Sequence, residues 1–218
     1  MQTSRPSLSL LVRLYDWLAC ADPLTHADLI FVLAGRRSRK PFALELFSRG
    51  HAPRLLLSVD RIEIPRFSAL PIPAELDLAA IVASIPPRKR HLFVAFGDHK
   101  GDNKTEIDIV RPGKAGTLSE IHALASWLKT HAEVTSLLIV SSGSHLRRIR
   151  MCCRFLLPAS FPIRLVAVEN DGRLRRDSWW RNRESRMIVL LEFPKLLLYW
   201  PLLHLQRIAG AKSILPAR

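Results

Sequence analysis

Five short apolar runs, each followed by small or polar residues, constrain this chain more than any other feature. They are Leu29–Gly35 (LIFVLAG), Arg54–Val59 (RLLLSV), Leu92–Phe96 (LFVAF), Ser136–Ser141 (SLLIVS) and Ile163–Val168 (IRLVAV). A run that is apolar without alternation is a strand buried on both faces, the mark of a sheet covered by helices on either side. Between the first two runs, Ser38–Arg49 sets Ala43, Leu46 and Phe47 on one helical face, and Gly50 follows as a C-cap. That is a β-α-β unit, which implies a parallel pair with a right-handed crossover. Thr117–Thr130 and Ser144–Leu157 are helical segments on either side of the fourth run. Strands alternating with helices predict an α/β fold with a doubly wound, mostly parallel sheet.

The remaining segments fit around that frame. Leu8, Leu11, Val12, Tyr15, Leu18 and Ala19 recur at helical spacing, and Pro23 ends the pattern. Arg61–Pro73 is irregular, Glu75–Ile85 reads as a helix stopped by Pro86 and Pro87, and Thr105–Val110 alternates as a hairpin or edge strand would. Asp177–Leu203 reads as mostly helix, bent at Pro194 and Pro201. The expected organisation is a helical segment over residues 1–26 packed on one domain over 27–203, with a basic tail over 204–218.

Charge narrows the partners. Lys and Arg number 33 against 19 Asp and Glu, a formal net charge of +14. Such a surplus attracts polyanions, anionic lipid or phosphorylated small molecules. His145–Arg186 holds eleven arginines and no lysine. The guanidinium fork suits phosphate and carboxylate, although a solvated basic face fits the same residues. Nucleic acid is the weaker reading, because no helix-turn-helix, zinc-finger or ribonucleoprotein signature occurs. Cys20, Cys152 and Cys153 make no disulfide framework, and reduced thiols suit a cytoplasmic location. Met187–Leu203 is greasy but contains Glu192, Lys195 and two prolines, and it is short for a bilayer span. It reads as a buried or surface-docked amphipathic helix, with an anionic membrane surface as an alternative partner.

Ligands of doubly wound sheets bind at the carboxyl ends of the strands, so three loops are candidates. In Leu137–Arg150 a buried strand runs through Ser141, Ser142, Gly143 and Ser144 into a helix carrying His145, Arg147 and Arg148. Helix-start amides, hydroxyls and arginines there would form an anion site, or a serine would simply cap the helix. His145 fits as general acid or base, phosphate donor or capping ring. Ala34–Lys40 offers Gly35 for close backbone approach, with Arg36, Arg37 and Arg39 to meet an anion. In Gly116–Glu120, Thr117 and Glu120 have the spacing of a capping box, with a catalytic Glu120 as the other reading. Asp98, His99 and Asp102 share one loop, which a charged hairpin tip explains better than a metal. No G-x-G-x-x-G, P-loop or G-x-S-x-G motif occurs, so the usual dinucleotide, P-loop and serine-hydrolase readings fail.

Taken in order, these pieces resemble the SanA/YdcF-like family of bacterial domains of unknown function. ADLIFVLAG with Arg39, Ala43, Leu46 and Gly50 resembles the family's opening strand and helix, and APRLLLS, ending at Ser58, resembles its second strand. GTLSEIHALASWL matches the T-x-E-E-A helix start at Thr117 and Glu120, and SSGSHLRRIR matches T-S-x-x-H-x-x-R-A at Ser141, Ser142, His145 and Arg148. Glu192, Lys195 and Tyr199 are similar to its closing E-x-x-K-x-x-x-Y helix. Here Ala-Gly-Arg-Arg replaces a glycine-rich first loop, and Ser-Val-Asp-Arg replaces Ser-Gly-Gly, so the pocket is narrower and differently charged. The resemblance implies a Rossmann-like three-layer sandwich and, for some members, envelope biogenesis or S-adenosylmethionine as a cofactor. The expected function is binding of, and action on, an anionic phosphate- or nucleotide-like small molecule as a hydrolase or transferase. Arg39, Ser141, Ser142, His145 and Arg148 would contact it, with Glu120 as base. The alternative is a non-catalytic protein peripheral to the inner membrane in envelope biogenesis.

Overall fold

The computed structural model describes residues 6–67, 69–70, 82–83, 85–86, 91–99, 102–103, 105–109, 116–168 and 174–208. Its first elements are α1 (Pro6–Leu18), β1 (Leu29–Val32), α2 (Arg39–Ser48), β2 (Arg54–Asp60), α3 (Ile64–Phe67), β3 (His91–His99), β4 (Asp102–Asn103) and β5 (Glu106–Ile109). Then come α4 (Thr117–Thr130), β6 (Leu137–Ser142), a 3-10 turn at Gly143–His145, α5 (Leu146–Leu156) and β7 (Ile163–Val168). A second 3-10 turn at Trp179–Arg181 leads into α6 (Arg183–Leu190) and α7 (Glu192–Ile208). Most of the expected helix over Glu75–Ile85, the side chains of Asp98, His99 and Asp102, and most of the 204–218 tail lie outside the described residues.

The apolar runs are apolar throughout because each inner strand is covered twice. Ile30 and Val32 of β1 share a core with Ala43, Leu44 and Leu46 of α2 and with Ile64 and Phe67 of α3. Their neighbours Leu29 and Phe31 point the other way, into a core with Ile121 and Leu124 of α4, Ile149 and Cys152 of α5, and Leu203 of α7. Successive strand residues alternate faces, so both halves of the strand must be apolar. The result is a Rossmann-like three-layer α/β sandwich.

Strand order is β3-β2-β1-β6-β7, with β4 and β5 along the outer side of β3. β1 pairs parallel with β2 and β6, and β6 with β7, giving a parallel centre. β3 runs antiparallel to β2, with His91 opposite Asp60. The chain moves outward from β1 to β3, then returns to lay β6 on the other side of β1. That reversal creates a switch point between β1 and β6, where loops diverge and a crevice opens.

Two local expectations need correction. The break in the last helical stretch falls at Leu191, between α6 and α7, not at Pro194. Pro194 sits in the first turn of α7, where a missing N–H removes no intrahelical bond; only Pro201 lies inside the helix. The capping box at Gly116–Glu120 does not form. Gly116 is the N-cap, at φ +46°, and Thr117 already lies within the helix, so neither side chain caps an amide. Both turn to partners distant in sequence.

Candidate functional site

The switch point holds two buried carboxylates in contrasting settings. Glu120, in the first turn of α4, reaches under the loop after β1. Its Oε1 accepts the Ala34 amide at 2.8 Å and the Ser58 hydroxyl at 2.6 Å. His91 Nε2 lies 2.7 Å from Ser58 Oγ, so a chain of polar contacts runs from His91 through Ser58 to Glu120. Because the Ser58 hydroxyl proton goes to the carboxylate, His91 is the donor to Ser58. Burial raises the Glu120 carboxyl above its usual range, and the bonds from Ser58 and Ala34, with the charges of His91 and Arg39, only partly oppose it.

Arg39 bridges the two loops that meet here. Its Nη1 donates to the Ala34 carbonyl at 2.7 Å and its Nε to Ser142 Oγ at 3.2 Å. Gly35 is required beside it: φ is +127°, and a Cβ would sit 3.2 Å from the guanidinium. The Gly35 amide donates to Glu63 Oε1 at 3.2 Å, and the same oxygen pairs with the Lys40 ammonium at 2.5 Å. Burial lowers the Lys40 pKa, against the pull of Glu63. The first loop therefore offers its Ala34 and Gly35 amides to protein carboxylates, and an incoming anion would be held by side chains.

The second carboxylate, Glu192 at the start of α7, has no solvent exposure. Oε2 accepts Arg148 Nε at 2.8 Å, and Oε1 lies 2.9 Å from His145 Nδ1 and 2.9 Å from Lys195 Nζ. Arg148 also donates to Thr117 Oγ1 at 2.6 Å and lies over the Tyr199 ring. Burial works to raise the Glu192 pKa, but the bonds and charges of His145 and Arg148 outweigh it and hold the carboxyl far below the usual range. His145 is pushed below its usual value by burial and by Arg39 and Arg148, despite its bond to Glu192. His145 Nδ1 faces both Glu192 Oε1 and Arg148 Nη2, the latter at 3.0 Å, and the tautomer that gives its Nδ1 proton to the carboxylate keeps a lone pair on Nε2.

Two cavities open over these clusters and share Arg36. One, of about 470 Å³, is lined by Gly35, Arg37, Lys40, Glu63, Arg66 and Phe67 among others. The other, of about 680 Å³, is lined by His145, Arg183, Met187, Leu191 and Lys195 among others. Of the residues singled out in the sequence, Gly35, Arg36, Arg37, His145 and Lys195 reach a cavity wall. Arg39, Ser58, Thr117, Glu120, Ser141, Ser142 and Arg148 are buried. Arg148, expected to meet an anion, turns its guanidinium to Glu192, Thr117 and His145 inside the protein.

The loop expected to cradle an anion with helix-start amides is roofed instead. Tyr15 of α1 packs so closely on Gly143 that a Cβ there would lie 2.8 Å from the phenol oxygen. Neither Ser142 nor His145 caps through its side chain, and Ser141 Oγ and Ser144 Oγ are buried without a hydrogen-bond partner among the described residues. Several members of the arginine-rich segment fasten α1 and the loop after it. Arg147 donates to the Trp17 carbonyl, Arg150 to the Cys20 carbonyl and Asp22, and Arg176 to Asp16. Behind them, burial pushes the Cys152 thiol up to about 12, which disfavours the reactive thiolate.

Sequence reasoning missed His91, Glu63 and Tyr15. His91 was recoverable: an alternating segment at Thr105–Val110 suggests a hairpin, and an antiparallel β3 starts at the carboxyl edge of its neighbours. Comparisons with family models, with curated proteins and with solved structures found no match.

Proposed function

We propose that this chain binds, and acts on, an anionic small molecule carrying a phosphate- or nucleotide-like group at the carboxyl edge of the sheet, as a cytoplasmic hydrolase or transferase of the SanA/YdcF-like kind. One observation carries the reading: His145, held by Glu192, lines a cavity whose wall also carries Arg36, Arg183 and Lys195. The cations supply the anion's counter-charge, and a bidentate arginine adds direction to the pull. His145 Nε2 is the base, accepting a proton from a water or hydroxyl beside the bound group while Glu192 fixes the ring and stabilises the cation that forms. Glu120 acts one layer below, positioning the Ala34 amide and, through it, the Gly35–Arg36 loop. S-adenosylmethionine fits the proposal less well, because the first loop spends its amides on Glu120 and Glu63 rather than exposing them to a ligand.

A thermal-shift screen against inorganic phosphate, nucleotides, nucleotide sugars, polyprenyl phosphates and S-adenosylmethionine tests it. A ligand at one hundred times its dissociation constant adds about 2.7 kcal/mol, roughly 5–10 °C for a chain of this size. The expected result is a shift with a phosphate-bearing compound that Arg36→Ala abolishes. Equal melting points with and without every anion would sink the proposal.

A further inference from the structure

Helices α6 and α7 carry a stripe of large apolar side chains that the fold leaves in solvent. Met187, Leu190, Leu197, Leu198, Trp200 and Leu205 are each about half exposed or more, with Leu197 at 76%. Met187 and Leu190, Leu197 and Trp200, and Leu198 and Leu205 stand three or seven residues apart, the spacing of neighbours on one helical face. The stripe continues onto α1, where Trp17 stacks on Phe193 with ring centroids 5.7 Å apart and Leu10 is exposed. The segment Arg183–Leu205 reaches a mean hydropathy of 1.4, yet only 17% of its most apolar window is buried. Apolar patches of this extent on a folded surface mark a binding face.

We infer that this face docks on the surface of an anionic phospholipid membrane, with α6 and α7 lying in the plane of the interface. Three observations select that occupant. The opposite face is fastened to the protein: Glu192 is wholly buried among Arg148, His145 and Lys195, and Val189 and Leu203 are buried too. Spanning the bilayer would drag that carboxylate and its cations into hydrocarbon, which is prohibitive. Arg13 of α1, Arg175 and Arg181 on the segment leading into α6, and Arg183 and Arg186 of α6 are exposed, with Asp177 and Glu184 as exposed acids beside those of the segment and α6. A two-fold pairing of two copies through this face would set these arginines against each other, whereas anionic headgroups complement them. Trp17 and Trp200 have the shape that sits at a headgroup boundary, an apolar ring with one polar N–H.

Vesicle flotation of the whole chain tests the inference, using phosphatidylcholine alone and phosphatidylcholine mixed with phosphatidylglycerol. Binding to the anionic vesicles is expected to exceed binding to the neutral ones roughly tenfold or more, and to weaken as salt is added. The double variant Leu197→Ser, Trp200→Ser should lose at least about tenfold of that binding, since membrane affinity scales with buried apolar area. Its melting point should stay near wild type, because both side chains are exposed. Equal flotation on neutral and anionic vesicles would overturn the inference. So would unchanged flotation of the double variant, or a wild-type dimer in light scattering that the double variant dissolves, which would assign the face to a second copy.

Discussion

Glu120 and Glu192 are both buried glutamates in the first turn of a helix on the same side of the sheet, yet their chemistry runs in opposite directions. Glu120 is surrounded mainly by hydrogen bonds from an amide and a hydroxyl, and burial wins: its carboxyl is held above the usual range. Glu192 is surrounded by Arg148, Lys195 and His145, and the partners win: its carboxyl is held far below. Burial alone therefore does not set a carboxylate's state; what decides is whether the surrounding donors carry charge. The first setting fixes a loop, whereas the second ties three elements together and presents an imidazole to a cavity.

The contrast can be broken most forcefully at Glu192. Glu192→Gln leaves Arg148 buried without a counter-charge, which should cost about 3–5 kcal/mol, or roughly 10 °C in melting temperature. Calorimetry of the purified variant measures it, and a loss within error would show that Glu192 is not the keystone described. Ser58→Ala comes next: it takes from Glu120 its hydroxyl donor and from His91 its acceptor, for about 1–3 kcal/mol by chemical denaturation. Glu120→Gln should be milder, within about 1 kcal/mol either way, because an amide oxygen still accepts from Ala34 and Ser58. A collapse of that variant would mean that the charge of Glu120, not its hydrogen bonds, holds the loop.

The finest test is the pH dependence of those variants relative to wild type. The folded-state pKa of Glu192 is depressed, so its contribution is full above the unfolded value near 4.5 and fades as pH falls below it. Glu120 is raised, so the folded state keeps a proton that the unfolded chain has released, and wild type loses stability against Glu120→Gln as pH climbs above 4.5. The Glu192 difference curve is expected to rise with pH below 4.5, and the Glu120 curve to fall with pH above it. Parallel curves would erase the distinction between the two sites.

Much of the frame was legible in the residues. Thr117–Thr130 and Ile163–Val168 form with the bounds their patterns predict, because buried strands and amphipathic helices write their periodicity directly into sequence. The site was legible only in part. The residue types at Glu120, Arg39, Ser142 and His145 pointed to the right edge of the sheet, but not to their partners. Thr117 and Glu120 have the spacing of a local cap, and long-range partners outcompete it: Arg148 takes the hydroxyl, Ala34 and Ser58 the carboxylate. His91 was missed because its place depends on the direction of β3, which apolarity does not encode and at which only the hairpin signal over Thr105–Val110 hints. Arg148 looked like an anion receptor because sequence does not show that Glu192 reaches it from α7.

The roof over Gly143 carries a consequence for how the molecule assembles. α1 comes first along the chain, but its contacts lie far downstream: Trp17 with Arg147, Asp16 with Arg176, and Leu11 with Trp179, separations of 130, 160 and 168 residues. Closing loops of that length is entropically costly, and such contacts slow the search for the native state. Leu11, Leu14, Tyr15 and Leu18 thus wait without cover until β6, α5 and α6 exist to receive them. During synthesis α1 emerges well before the elements that receive it, and its apolar side stays uncovered until they follow.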